Sequence, residues 1–184
     1  MLASGLWAGC NKPAAQVTVV DHTGEGELRR YAEFFPEAYY SVDSMGNVDV
    51  VLRRTQPSRT NPAGNVTQLV HLRTVWKSRP GRTIAETTQI NGTLRYQLLT
   101  GADEATYEGG GSVFLHENRG KTRLNGKVEY ATVRGRHSAD NAAAVFEKVE
   151  LSGAFRAVHD PRRTVRLMNE MQARAQRGES AGSS

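Results

Sequence analysis

The chain has 184 residues, 38% of them apolar and 23% charged, and a formal net charge of +5. That size and balance suit one folded domain with a substantial core and exclude a chain too polar to fold. No run reaches the roughly 18 apolar residues of a membrane-spanning helix, and the sole cysteine, Cys10, excludes an internal disulfide and a cysteine-based zinc or iron–sulfur site.

The chain opens with Leu6-Trp7-Ala8-Gly9-Cys10, a short apolar stretch that closes on small, small, cysteine and turns polar at Asn11-Lys12-Pro13. This run resembles the signal of bacterial lipoproteins, with Trp7 where that family usually carries leucine and no Lys or Arg ahead of the cysteine. The resemblance implies that the chain is cut before Cys10 and that Cys10 carries the acyl chains, palmitate among them. The protein would then sit in a bacterial cell envelope, lipid-anchored and facing the periplasm or the cell surface. Residues 1–9 then form a truncated or atypical signal segment and residues 10–16 a lipid-anchored tether. A single domain follows over 17–177, and a disordered tail over 178–184.

Gln16–Asp21 is β-branched and reads as a strand. Over Glu27–Phe35 the residues Leu28, Tyr31, Ala32 and Phe35 recur at helical spacing, and Pro36 limits this expected helix to about two turns. Ala38–Asp43 and Asn47–Thr55 flank Ser44-Met45-Gly46 as a hairpin. Val66–Lys77 alternates, with Val66, Gln68, Val70, Leu72, Thr74 and Trp76 on one face. Ser78-Arg79-Pro80-Gly81 is a turn, Arg82–Ile90 a strand, Asn91-Gly92 a tight type I′ turn and Thr93–Thr100 the strand after it. Gly109-Gly110-Gly111 precedes a strand over Ser112–Glu117, and Asn118-Arg119-Gly120 turns into a strand over Lys121–Gly135. His137–Ala144 is a loop or brief helix, and Val145–His159 a long last strand. Gly126 and Gly153 mark either a bulge or bend inside a long strand or a hairpin turn between shorter ones.

Asp160 suits a helix N-cap, Pro161 the first helical position and Gly178 the stop, which gives a helix over 161–177. Val165, Met168, Met171 or Gln172, and Ala175 form its apolar stripe, opposite Arg163, Arg166, Glu170, Arg174 and Arg177. Many short alternating strands between turn signals predict an all-β fold. The expected form is an antiparallel β-sandwich, jelly-roll or immunoglobulin-like, with a short N-terminal helix and a C-terminal α-helix.

Chemistry is sparse. Gly109–Ser112 lacks the Gly-Lys-Ser/Thr and the following helix of a phosphate loop, and no Gly-x-Ser-x-Gly occurs. The histidines His22, His71, His116, His137 and His159 do not pair at metal-ligand spacing, so neither a metal nor another cofactor is expected. Asp21-His22 and His159-Asp160 read as polar strand ends. A glycosidase would need two close carboxylates. Glu86, Glu108, Glu117, Glu129 and Glu150 are the candidates, on separate strands whose acids usually face solvent. Tyr31, Phe34, Phe35, Tyr39 and Tyr40 suit packing under the first helix. Trp76, beside Arg79 and Arg82, offers a flat ring to a ligand.

Between 161 and 177 five arginines stand against one glutamate. Arg163, Arg166, Arg174 and Arg177 therefore form the candidate binding face, suited to anionic headgroups, an acidic polymer or a partner protein's carboxylates. Nucleic acid is not expected, because the basic excess belongs to one element. The expectation is a lipid-anchored envelope protein acting as a non-catalytic binding or structural module. The alternatives are an envelope hydrolase acting on polysaccharide and a lipid or glycolipid carrier. A module predicts a filled core, a hydrolase a polar concavity with close acids or a His–acid pair, and a carrier an open apolar cavity.

Overall fold

The computed structural model describes residues 14–22, 28–58, 64–74, 90–100, 103–117, 122–135 and 148–181. Among these, nine strands precede one helix: β1 (Ala14–Asp21), β2 (Arg29–Phe35), β3 (Glu37–Val42), β4 (Val48–Pro57), β5 (Asn65–Thr74), β6 (Gly92–Thr100), β7 (Asp103–Glu117), β8 (Arg123–Gly135), β9 (Lys148–His159) and α1 (Pro161–Ala181). The expected turn and strand over 78–90, the turn at 118–120 and the loop at 137–144 lie largely outside the described residues.

The strands form one sheet that closes on itself, a seven-stranded barrel of β3 to β9, and this overturns the sandwich expectation. Closure depends on β9. One edge pairs antiparallel with β8 from Arg134↔Lys148 to Arg123↔Val158. The other edge pairs with β1 from Asp21↔Val149 to Ala14↔Arg156, and then parallel with β3 at Tyr39↔Val158 and Tyr40↔His159. The β1–β2 hairpin is thus an addition to the barrel wall. Arg54 of β4 reaches across to Glu33 of β2 in an ion pair.

The expected N-terminal helix is absent, and its residues are strand β2, paired with β1 from Ala15↔Phe35 to Asp21↔Arg29. Two turns of helix ended by Pro36 would be marginal without a face to bury. Pairing with the free edge of β1 satisfies the same backbone groups. Of the supposed helical face only Phe35 is buried, while Leu28, Tyr31 and Ala32 are exposed.

Alternation divides each strand between lumen and outer wall. Inward residues such as Val50, Leu52, Val70, Leu72, Leu94, Tyr96, Tyr107, Val133 and Leu151 form one continuous core. Burial pushes the Tyr96 phenol well above its ordinary pKa, so it stays neutral, and it donates to Gln68. Among the described residues the lumen carries an apolar void of about 20 Å³, lined by Val17, Val50, Leu52, Leu94, Phe155 and their neighbours. A second cluster lies on the outer wall, where Tyr39, Val51, Leu69 and Leu99 are covered by Leu167 and Met171 of α1. The helix stripe is therefore Thr164, Leu167, Met168 and Met171 rather than one that includes Val165, which is exposed. No helix among the described residues is long and apolar enough to cross a membrane.

Glycines and one bulge bend the long strands. Gly109-Gly110-Gly111 lies inside β7 rather than before it. Gly126 lies inside β8 with the Phe155 ring where a side chain would stand, and Gly153 lies inside β9 against the Gln16 carbonyl of β1. Both thus belong to long strands and not to hairpin turns. On β8, Val128 pairs with Val113 and Tyr130 with Ser112, which leaves Glu129 as the extra residue of a bulge. The bulge shifts the phase of the alternation, so Val128 and Ala131, three apart, both enter the core. Asn91-Gly92 is not a type I′ turn, since such a turn needs positive φ at both residues and among the described glycines only Gly46 and Gly153 have positive φ. Instead Asn91 both donates to and accepts from the backbone of Val113, at 2.8 Å each, and so ties the start of β6 to β7.

A Cβ on Gly111 would come within 2.4 Å of both the Ala131 Cβ and the Tyr130 carbonyl oxygen. Gly111→Ala is expected to lower stability by about 1–3 kcal/mol in urea unfolding, the range for overpacking a closed core. Gly110→Ala should cost less, because its nearest obstacle is the Ile90 side-chain methyl, which can move.

Candidate functional site

Helix α1 begins where β9 ends. Asp160 caps it through Oδ1, which accepts from the Arg163 backbone N–H at 3.0 Å, and the Asp160 N–H donates to the Tyr40 carbonyl. The helix then descends the outer wall. Its far anchor is Gln97 of β6, fully buried, whose side-chain amide donates to the Met171 carbonyl at 2.9 Å and to Glu104 at 3.2 Å. The helix continues to Ala181, past Gly178.

This packing sorts the candidate arginines. Arg163 lies with its guanidinium 5.0 Å from the centre of the Tyr39 ring and donates to the Tyr39 hydroxyl. That bond raises its pKa further above the ordinary arginine value. Arg163 also pairs with Asp160 at 3.4 Å. Arg174 is half-buried and pairs with Glu170 at 3.4 Å. Arg163 therefore helps to hold the helix on the barrel, whereas the Arg174 pair lies within the helix itself. Arg166 faces outward and is joined by Arg162, which the sequence reading did not select. With Pro161, Val165 and Asn169 these two line a shallow open groove on the solvent side of α1. The side chains of Arg177, Trp76 and Cys10 lie outside the described residues. The structure thus brings Arg162 and Arg166 together on one face and turns Arg163 and Arg174 away from it.

The other polar groups are engaged on the wall. Asp49 of β4 bonds His71 of β5 at 2.8 Å and meets Arg73 at 3.6 Å. Register places Asp49 directly between Ser41 of β3 and Arg73 of β5, with His71 beyond. The order Ser–Asp–His puts the carboxylate, not the imidazole, beside the hydroxyl, so His71 is not set to take the Ser41 proton. The pair also sits on the convex outer surface. Arg95 holds Glu108 at 2.7 Å, Lys127 holds Glu129 at 3.4 Å, and His22 and Lys148 hold Glu150 at 3.1 and 3.7 Å. His159 lies against the Tyr40 ring, with centroids 5.0 Å apart. No group of three or more metal-ligating side chains occurs among the described residues. Of the aromatic cluster, Phe35 and Tyr40 enter the lumen core, Tyr39 lies under α1, and Tyr31 and Phe34 are exposed on β2.

Signals for part of this sorting exist in the sequence. The alternation of β3 puts Tyr39 opposite in phase to the lumen residue Tyr40, and an outward aromatic is a natural partner for a nearby arginine. Compared with protein-family models, curated proteins and solved structures, the chain matches none.

At the β3–β4 turn, Asp43 accepts from the backbone N–H groups of Met45 and Asn47, from the Asn47 amide and from Arg73 at 2.8–2.9 Å. These contacts, the Asn47 amide foremost, hold its pKa below the ordinary aspartate value of 3.8. A carboxylate with a depressed folded pKa contributes stability that is complete above the unfolded value and lost as the pH falls through the folded one. Asp43→Asn is therefore expected to weaken the turn at neutral pH and to converge on the parent protein in strong acid, read by the exchange of the Asn47 amide proton and by urea midpoints across that range.

Proposed function

We propose that this chain is a lipid-anchored protein of the bacterial cell envelope whose barrel serves as a non-catalytic binding module. It is held at the membrane through Cys10 and presents the outward strip of α1 to an anionic partner. The observation that carries the reading is the division of the arginines. Arg163 is engaged with Tyr39 of the barrel and Arg174 with Glu170 of the same helix, whereas Arg162 and Arg166 flank Val165 on a face that no described element covers. A cationic strip with an apolar residue at its centre suits headgroups, acidic polymer or carboxylates.

The close packing of the lumen among the described residues supports this reading over a carrier. A drug-sized or lipid ligand needs several hundred Å³, against about 20 Å³ here. Among the described residues the acids Asp49, Glu108, Glu129 and Glu150 each already face a cationic or histidine partner, which supports it over polysaccharide hydrolysis; Glu86 and the side chain of Glu117 lie outside the described residues.

The test is the intact mass of the protein made from its full native gene in a bacterial host, with and without an inhibitor of lipoprotein signal peptidase. The expected result is loss of residues 1–9 and added diacylglycerol mass on Cys10, both blocked by the inhibitor. An unmodified chain that retains residues 1–9 would overturn the anchor.

A further inference from the structure

The barrel has two ends, and three exposed apolar side chains stand among the described residues at one of them, alongside the polar Asp43, Ser44 and Asn47 of the β3–β4 turn. There β3 and β9 finish, β4 and β6 begin, and the chain turns into α1. Val42, Met45 and Ile90 are 44%, 64% and 68% exposed, and all three stand at this end, on the last residue of β3, in the β3–β4 turn and just ahead of β6. Arg162 and Arg166 stand on the first turns of α1, beside it. At the opposite end the only large, strongly exposed apolar side chain among the described residues is Leu28, before β2. An apolar rim bordered by arginines is the composition of a surface that rests in the headgroup layer of a bilayer.

The chain also enters from this end. Strand β1 runs antiparallel to β9 and starts level with Arg156, three residues short of the end of β9. Three residues lie between Cys10 and Ala14, and the four steps from one to the other span about 14 Å at full extension. The rise from Arg156 to His159 is about 10 Å. A lipid on Cys10 can therefore lie level with the rim, and the tether is too short to let the opposite end meet the membrane instead.

We infer that the end of the barrel formed by Val42, Met45 and Ile90, with Arg162 and Arg166 of α1, docks on an anionic phospholipid surface, so that the protein lies against the membrane and does not hang from it. The direction of docking rests on the proposed acylation of Cys10, and the partner of the arginine strip is then the bilayer's own headgroups.

The test uses the full chain with Cys10→Ser, which cannot be acylated, and vesicles of phosphatidylglycerol with phosphatidylethanolamine or of phosphatidylcholine alone. Binding is expected on the anionic vesicles, weakening with added salt. Arg162→Glu with Arg166→Glu should reduce it about thirtyfold or more, from the usual worth of two cationic residues at a charged surface. Acidic residues in the first turns of a helix favour its folding, so that loss would not report a misfolded protein. In the same background a polarity-sensitive dye on Met45→Cys should shift to the blue on binding, while the dye on Leu28→Cys should not. Equal binding to both vesicle types, no effect of the two glutamates, or a blue shift at Leu28→Cys and not at Met45→Cys would each overturn the docking surface. Because this chain carries no acyl group, such a failure would leave the anchor standing. An unmodified Cys10 in the mass experiment would remove the anchor and leave these vesicle readings intact.

Discussion

The closure of the sheet on β9 is the constraint on which the rest of the molecule depends. One strand must satisfy β8 along one edge and both β1 and β3 along the other. Exchanging β1 for β3 along a single edge is possible because β1 starts at Arg156, leaving Val158 and His159 for β3. The wall must also curve tightly enough for its first and last strands to meet. Gly126 and Gly153 provide for this by letting the Phe155 ring and the β1 backbone approach where a Cβ would stand. Closed sheets need such points of close approach, and the Glu129 bulge adds local twist. Once closed, the barrel fixes where β9 ends and hence where Asp160 begins α1.

The strands were legible in the sequence because alternation is a local property. The inward set Gln68, Val70, Leu72 and Thr74 and the inward set Leu94 and Tyr96 can be read directly from apolar spacing. Closure was not legible, because a sandwich and a barrel impose the same inward–outward pattern on each strand. What separates them is pairing between distant segments, such as Tyr40 with His159, and spacing does not record it. Strand β2 was misread for a related reason. Leu28, Tyr31, Ala32 and Phe35 fall on one helical face, yet the available partner is the free edge of β1, and seven residues before a proline gain more from pairing than from an isolated helix. The glycine run in β7 looked like a boundary, although glycine inside a strand also marks contact with a neighbouring backbone.

The binding face was legible as an element but not residue by residue. Composition identifies α1 as cationic, and its start at Asp160-Pro161 follows from capping chemistry alone. Which arginines remain outward depends on the rotation of the helix, and the sequence stripe placed that rotation too near Val165. The outer-wall cluster of Tyr39, Val51, Leu69 and Leu99 sets the true rotation by drawing in Leu167 and Met171. Leu69 and Val51 are the informative residues here. Each is apolar at a position whose phase points out of the barrel, and an outward apolar residue on an otherwise polar wall marks where another element must lie.

The two halves of α1 therefore do different work. Its inward side needs Arg163 on Tyr39 and Gln97 on the Met171 carbonyl to hold a helix whose buried apolar strip is narrow. Its outward side near Pro161 is free of that duty, and the same end of the barrel carries the exposed Val42, Met45 and Ile90. Exposed apolar side chains of this size cost solubility when gathered at one end, and charges of one sign cost self-repulsion when gathered beside them. Both costs fall when the two groups face an anionic apolar boundary, with the apolar rim entering it and the arginines meeting its headgroups. Strand β1 starts at the same end. Fold closure and helix placement are in this way consequences of the single strand β9.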